Sequence, residues 1–341
     1  LWLRAPQPAP RVVSRLTTPL PQLPRYPMVA ISRDATRLAF IAGSPLRIHL
    51  RLMDQLEVKP IAGTDGAITP FFSPDGQWIG FFQDRKLKKV QVAGGATMTL
   101  CDGCGGATFG SGASWGLDGN IILGGFTTGL LRVSAAGGTP QVLTTPDAKK
   151  GEVNHRWPHV LPGGEAVLFT AGRGGSFDDA RISVLSLKSG EQRVLVEGGS
   201  HARYVPTGPG ADGRGTGHIV YWRNASLLAV PFDLRALQVA GSPVPILEGV
   251  LGFPPQGFAD YSFSDAGTLV FAPGGAEAST ASLVWVDRQG QAQPLPAPPC
   301  SYLSPRLSPD GRRVAVAIGN LAQADVWVYE LERGALTRLT F

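Results

Sequence analysis

The sequence of 341 residues is poor in several residue types on which functional sites often depend. It has 3 cysteines, 5 histidines and 3 methionines, and charged residues make up only 17% of the chain. No run approaches the roughly 18 consecutive apolar residues of a membrane-spanning helix. No stretch repeats apolar residues every 3.6 positions, so long amphipathic helices are not expected either. We therefore expect neither a membrane span nor a mainly helical fold.

Motifs for phosphate binding and for kinase chemistry are also absent. No G-x-x-x-x-G-K-[ST] loop occurs, which removes the usual sequence sign of a nucleotide phosphate site. The stretch His155-Arg156-Trp157 lacks the catalytic aspartate of a kinase H-R-D motif. We predict no cofactor and no catalytic residue in this chain.

The cysteines offer no metal site. Cys101 and Cys104 form a C-x-x-C pair, but no second pair follows and Cys300 is distant in sequence. A structural zinc ion needs four cysteine or histidine ligands, so no metal is predicted. A local disulfide stays open for an oxidising compartment, and two unpaired cysteines in a loop between repeats are the preferred interpretation.

Two local patterns are expected to carry no function. Gly112–Gly116 fits G-x-S-x-G, but it lies on a predicted strand with no helix after it, and a nucleophile elbow needs that helix. The densest basic cluster is Lys86, Lys88 and Lys89, where alternation predicts a solvated strand face. With a net charge of only +5, no nucleic-acid partner is predicted.

What the sequence does contain is a repeated turn. In Ser73-Pro74-Asp75-Gly76 proline presets φ, aspartate accepts backbone hydrogen bonds and glycine takes the left-handed conformation. Apolar runs on both sides predict a strand, a tight turn and a second strand. The turn recurs at Ser308–Gly311, and degenerate copies stand at Ser32–Ala35, Gly116–Gly119, Leu161–Gly164 and Ser264–Gly267. A fifth position, around Pro206–Gly208, carries a longer glycine-rich insertion that ends at Gly217.

The spacing of these turns predicts the architecture. From Ser32 to Ser308 there are 308 − 32 = 276 residues over six intervals, a period of about 46. A period in the forties, with several short strands in each unit, is typical of β-propeller blades. We predict an all-β propeller of about seven four-stranded blades, near residues 26–63, 66–102, 108–145, 152–198, 200–250, 258–298 and 301–341.

The two ends of the chain are interpreted separately. Residues 1–25 form a proline-rich lead with one plausible strand, residues 11–16, which could cover an open edge of the first or last unit. The chain does not begin with methionine and it ends on a predicted strand. We interpret it as a region of a longer protein, attached to a membrane only through an anchor outside this chain.

The most polar and aromatic stretch, Asn154–His159, falls on the predicted inner strand of the fourth unit. Ser176–Arg181 enters the third strand of that unit, and His201–Tyr204 opens the next inner strand. We predict a ligand site at the channel mouth formed by His155, Arg156, Trp157, Asp178, His201 and Arg203. In the alternative, Trp157 packs between blades and neighbouring carboxylates such as Asp178 satisfy the histidines and arginines.

The turns and strands resemble TolB-type, tryptophan-aspartate-like propeller repeats of bacteria. Longer runs resemble more closely the C-terminal propeller region of large bacterial serine/threonine protein kinases of acidobacteria and myxobacteria. These runs are Leu52–Glu57, Phe71–Trp78, Gly129–Val133, Arg156–Pro158, Leu228–Asp233 and Leu283–Arg288. The resemblance implies an extracytoplasmic sensor region, tethered on the periplasmic side, with the kinase domain outside this sequence.

We therefore expect a non-enzymatic propeller that binds a protein, a peptide or a small ligand at a propeller face or the channel mouth. Two alternatives stay open. One is an accessory propeller of a peptidase or hydrolase, or a TolB-like periplasmic interaction protein. The other is an enzyme active at the channel, for which only the region of His155, Asp178 and His201 offers suitable groups. Fold alone cannot decide between them.

Overall fold

The chain folds almost entirely into short antiparallel β-strands. The computed structural model describes residues 17, 20, 23, 24, 26–104, 111–173, 176–207, 217–274, 282–300, 302–319 and 324–340. These ranges hold 31 strands and two short 3-10 helices, Ala148–Lys150 and Pro254–Gln256, with no α-helix. They also contain no helix long and apolar enough to cross a membrane. The prediction of an all-β fold is confirmed, and the predicted strand at 11–16 lies outside the described residues.

The first three sheets each have four strands that pair in chain order. The first sheet comprises β1 (Ala30–Ile31), β2 (Arg37–Ala42), β3 (Arg47–Leu52) and β4 (Val58–Pro60). The second comprises β5 (Ile68–Phe72), β6 (Trp78–Gln83), β7 (Lys86–Gln91) and β8 (Met98–Cys101). The third comprises β9 (Ala113–Trp115), β10 (Asn120–Leu123), β11 (Leu131–Ser134) and β12 (Gln141–Val142).

The next two sheets are longer but follow the same order. The fourth sheet comprises β13 (Glu152–Val160), β14 (Ala166–Arg173), β15 (Ser176–Ser186) and β16 (Gln192–Glu197). The fifth comprises β17 (Ser200–Pro206), β18 (Gly217–Arg223), β19 (Ser226–Asp233), β20 (Gln238–Val239) and β21 (Val244–Glu248). In the fifth sheet both β20 and β21 pair with β19, so two short segments occupy the place of one outer strand.

The rest of the described chain forms three hairpins and a sheet. The hairpins are β22 (Gly252–Phe253) with β23 (Phe258–Ala259), β24 (Tyr261–Phe263) with β25 (Leu269–Phe271), and β26 (Val284–Val286) with β27 (Ala292–Pro294). The last sheet comprises β28 (Tyr302–Leu307), β29 (Arg313–Gly319), β30 (Ala324–Glu330) and β31 (Ala335–Arg338). Four-stranded antiparallel sheets therefore dominate the fold, as the repeat predicted.

The turn between the first two strands of a sheet is held by a serine and an aspartate. Ser73 Oγ donates to Asp75 Oδ1 at 2.5 Å and accepts from Trp78 N–H at 2.9 Å. Equivalent serine hydroxyls donate to Asp34 and Asp310, also at 2.5 Å. Such bonds favour the ionised carboxylate, so they lower the pKa of Asp75 and bring that of Asp34 to about 2. The repeated turn is thus a repeated hydrogen-bond network.

A second repeated feature was not predicted. Met28, Thr69, Trp157 and His201 have φ of 51–54°, and Gly112 has 79°. Met28, Thr69, Gly112 and Trp157 each lie six residues before the third residue of their turn, and His201 lies six residues before Thr207, the second residue of the segment Pro206–Gly208. The strand pairing shifts register here in β5–β6, β13–β14 and β17–β18. A bulge of this kind bends the strand and re-aims its side chains. Strands β5, β13 and β17 are therefore kinked at the same place.

The inner strands follow one another around a common axis. Contacts join β1 to β5, β5 to β9, β9 to β13, β13 to β17, and β17 to β23. Strand β24, which directly follows β23, lies beside β1. In a closed ring of seven units, the inner strand of the seventh unit would lie beside β1 instead. The predicted count of seven blades in one ring is therefore not confirmed.

The contact between β24 and β1 depends on one buried carboxylate. Asp260 is 1% exposed, and its two oxygens accept from Met28 N–H at 2.8 Å and Val29 N–H at 2.7 Å. Ser262 Oγ accepts from Ile31 N–H at 3.2 Å. Burial raises the pKa of Asp260 to about 6, against the lowering effect of the two backbone bonds. Residues more than 200 positions apart in sequence are joined in this way.

The hydrophobic core lies between the facing surfaces of neighbouring sheets. Ile41 from β2 and Ile79 and Phe81 from β6 belong to one buried cluster and are at most 1% exposed. Burying side chains of this size stabilises the fold by about 1.5–3 kcal/mol each. A separate cluster that contains Leu283 and Tyr329 joins the β26–β27 hairpin to the last sheet.

Candidate functional site

The kinked inner strands surround a central cavity of about 150 Å³. Its wall is built from β1, β5, β9, β13, β17 and the β23–β24 segment, together with the turns that follow some of these strands. Most of the lining is apolar or aromatic. The arginine, histidine and aspartate side chains in the lining are Arg33, His159, His201, Arg203 and Asp265. A concave site in which a few polar groups converge is the usual form of a small-ligand pocket.

Arg203 and His201 lie together on β17. Arg203 Nη2 is 2.8 Å from His201 Nε2. Arg203 Nη1 makes only long contacts, at 3.4 Å to the Pro158 carbonyl and 3.3 Å to that of Ala202. Burial lowers the pKa of the Arg203 guanidinium. No ion pair between described residues includes this arginine, so it is a half-buried cation without a carboxylate partner.

The tautomer of His201 follows from a backbone contact. Ala259 N–H donates to His201 Nδ1 at 2.9 Å, so Nδ1 carries no proton. A neutral imidazole keeps one proton, which must then be on Nε2. That N–H faces the Arg203 guanidinium, itself only a donor. The two groups are therefore both donors, and neither satisfies the other.

His159 and Arg33 complete the polar part of the wall. His159 is half-buried, and the described residues provide no hydrogen-bond partner for its ring. Burial, with the positive charges of Arg203 and Arg33, holds the pKa of His159 well below its usual value. Burial and Arg203 do the same to the pKa of His201. Both rings are therefore neutral near pH 7 beside a fixed cation.

Trp157 belongs to the wall rather than to the open surface. It is 1% exposed. The centre of its ring lies 4.7 Å from the ring centre of His201 and 5.4 Å from that of Phe258. Its Nε1–H donates to the Gln256 carbonyl at 2.9 Å. Packing between units, the alternative that the sequence left open, describes this tryptophan, although one edge of it also reaches the cavity lining.

Arg156 is held by neutral groups. It is 4% exposed; its Nη1 donates to Gln256 Oε1 and its Nη2 donates to the Phe126 carbonyl at 3.0 Å. Its guanidinium carbon lies 4.5 Å from the ring centre of Phe126 and 5.1 Å from that of Phe177. Burial lowers the pKa of Arg156 to about 10. These contacts are those of a structural cation.

His155 lies apart from the cavity lining. It is fully buried, with Nδ1 2.7 Å from Thr144 Oγ1 and Nε2 3.2 Å from Glu152 Oε2. Burial lowers the pKa of His155, and the Glu152 carboxylate opposes that change. The side chain of Asp178, the remaining predicted site residue, lies outside the described part of the chain. The structure thus brings Trp157, His201 and Arg203 together.

Four residues that matter here were missed. His159 and Arg33 line the cavity, Gln256 holds Arg156, and Asp260 joins β24 to β1. His159 could have been found, because it stands two residues after the predicted Trp157 and so shares the inner strand. Asp260 is the single charge within an aromatic stretch, which is a weaker signal.

The other local patterns are settled by their contacts. Cys101 and Cys104 form a disulfide, with Cα atoms 5.7 Å apart, which corrects the preferred interpretation of two unpaired cysteines. Closing a loop of this size needs only the local turn that the two intervening residues provide. Ser114 of the G-x-S-x-G pattern lies on β9, where its Oγ accepts from Val160 N–H at 2.9 Å. The described residues hold no cluster of metal-ligating side chains.

No family model matches the chain, and no curated protein matches it.

Several solved structures are similar in fold. An oligogalacturonate lyase in complex with manganese is 15% identical, with 90% of this chain and 89% of that one covered and a TM-score of 0.49. A putative TolB from Agrobacterium tumefaciens is 14% identical over 85% and 83%, with a TM-score of 0.41. The Cps50 (Swd1) β-propeller domain of Myceliophteria thermophila is 13% identical over 92% and 86%, with a TM-score of 0.46.

These similarities agree with the TolB-type and tryptophan-aspartate-like part of the resemblance. They overturn the prediction that the chain is not an enzyme, because oligogalacturonate lyases share the architecture. At 12–15% identity they transfer no activity and no residue role. The resemblance to kinase sensor regions stays a prediction.

Proposed function

We propose that this chain is a binding propeller whose ligand enters the central cavity. The observation that carries the proposal is the convergence of six inner strands on one cavity, whose wall holds a cation with no carboxylate partner among the described residues. A small molecule, or an exposed segment of a protein or peptide, fits a site of this shape. The blades act as a rigid frame that positions the wall.

A ligand screen tests this function. A thermal-shift panel of organic acids, amines, sugars and short peptides should contain a compound that stabilises the chain. Occupancy at 100 times the dissociation constant adds about 2.7 kcal/mol. Binding should be lost in His159→Trp, which fills the cavity without removing a hydrogen bond made by described residues. Absence of any stabilising compound, or equal binding to His159→Trp, would contradict the proposal.

We further propose that the chain is the extracytoplasmic sensor region of a membrane-anchored bacterial serine/threonine kinase. The longer runs, such as Phe71–Trp78, support the kinase assignment. The disulfide between Cys101 and Cys104 supports an oxidising compartment.

Thiol alkylation of the protein in its native host checks the location. Cys101 and Cys104 should resist an alkylating reagent until a reductant is added, whereas Cys300 serves as the internal control for a free thiol. Ready modification of all three cysteines without reductant would place the chain in a reducing compartment.

A further inference from the structure

Arg203 is a cation for which the fold supplies no counter-charge. Its guanidinium offers five N–H donors, yet among described residues they meet only two long carbonyl contacts and the His201 ring. A half-buried charge left without a partner is costly to the folded state. The contrast with other arginines is clear, since Arg181 and Arg193 each face a glutamate at about 3 Å. Something other than the described protein groups is the natural partner of Arg203.

The His201 ring points to the same conclusion. Its Nδ1 is occupied by Ala259 N–H, so its Nε2 presents a proton toward Arg203. Arg203 Nη2 and His201 Nε2 are both donors and lie 2.8 Å apart, so one acceptor placed beside them can bind both. An oxygen that carries negative charge satisfies both at once, because charge-assisted hydrogen bonds are the stronger kind.

The charges of the wall decide how much negative charge fits. Arg33 and Arg203 are the lining cations and Asp265 is the lining carboxylate, which leaves one net positive charge. The Asp265 side chain is 67% exposed and lies 3.9 Å from Arg33, so these two charges offset each other at the rim. The uncompensated charge is that of Arg203, which a single anionic group neutralises.

On these grounds we propose that the central cavity takes the carboxylate of an organic acid, held by Arg203 and by His201 Nε2–H. The inference rests on the proposed function and specifies its ligand class. His159, half-buried beside them, offers a further neutral donor. The half-buried lining residues Phe72 and Phe263 receive the apolar part of the acid. A free organic acid and the C-terminal end of a peptide both present this group, and the probes below distinguish the two sources.

Matched acid and amide probes test the proposal. We would measure binding by titration calorimetry at pH 7 for benzoate against benzamide, and for N-acetylalanine against N-acetylalaninamide. At least one acid should bind about tenfold or more tightly than its amide, because a charge-assisted bond is lost in the amide. Preference for benzoate indicates a free acid, and preference for N-acetylalanine indicates a peptide end.

Variants locate the effect. Arg203→Gln should weaken binding of the acid about tenfold or more, and Arg203→Lys, which keeps the charge, should weaken it less. Arg193→Gln, a surface arginine paired with Glu191, is the matched control and should bind as the original chain does. Thermal melts of each variant show that the fold is retained.

The outcomes separate this inference from the function on which it rests. If acid and amide bind equally, or if Arg203→Gln binds the acid unchanged, the carboxylate assignment is wrong. If neither acid binds while a neutral compound from the wider screen does, and His159→Trp abolishes that binding, the cavity function stands without the carboxylate. If nothing binds the cavity, both proposals fail.

Discussion

Arg156 and Arg203 occupy neighbouring inner strands, yet the structure treats the two cations in opposite ways. Arg156 is surrounded by a glutamine oxygen, a backbone carbonyl and two aromatic rings. Arg203 faces another donor and two distant carbonyls. Arg156, whose hydrogen-bond acceptors are supplied by the blades, holds the blades together. Arg203 lies at the cavity wall without such acceptors and is available to a ligand.

The largest expected difference between the two regions appears on acidification. His159 and His201 have pKa values well below the ordinary 6.5, with Arg203 contributing to both. The unfolded chain therefore binds more protons below pH 6.5, so this part of the stability is present above pH 6.5 and is lost as the pH falls. Each histidine lowers the free energy of unfolding by up to about 1.4 kcal/mol per pH unit.

Urea denaturation at pH 7, 6 and 5 measures this loss, with Arg203→Met as the informative variant. Burial, the larger cause of both lowered pKa values, remains in this variant, but removing the cation raises the pKa of both histidines and should flatten the profile in part. Arg156→Met, which is not among the groups that lower either pKa, should keep the original slope. Equal slopes in both variants would mean that burial alone keeps the two imidazoles neutral in this pH range.

A smaller difference is expected in stability at pH 7. Arg156→Met leaves the Phe126 carbonyl and Gln256 Oε1 without their donor, and each orphaned acceptor costs about 1–3 kcal/mol. Part of this is offset because a desolvated charge is removed, so we expect a net loss of about 2 kcal/mol. Arg203→Met orphans no close acceptor and should be within about 1 kcal/mol of the original chain.

Chemical denaturation monitored by tryptophan fluorescence gives both free energies of unfolding. A loss for Arg203→Met as large as that for Arg156→Met would contradict the division of the two arginines into structural and available cations.

How far the sequence predicted this molecule depends on how local each feature is. The turn at Ser73–Gly76 is determined by four consecutive residues, and the structure confirms both its hydrogen bonds and the left-handed Gly76 at φ 67°. The contact of β24 with β1 depends on how inner strands pack around an axis, which no local pattern reports. That is why the predicted number of blades in the ring is not confirmed.

The candidate site shows the same division. Trp157, His201 and Arg203 were found because polar and aromatic residues at an inner strand are unusual. Ala259, which fixes the tautomer of His201, is about 60 positions away from it, and Gln256, which binds Arg156, is 100 positions away from that arginine. Neither contact could be predicted from the local sequence. The left-handed residues were missed because most of them are not glycine.

Those left-handed positions allow the side chains that line the channel to vary from repeat to repeat. Met28, Thr69, Gly112, Trp157 and His201 stand at the same step of five successive repeats, and all five reach the cavity wall. The kink belongs to the backbone, whereas the residue that it presents differs in every repeat. Substitutions at these positions can therefore change the cavity lining one residue per repeat, while the backbone of the surrounding blades stays the same.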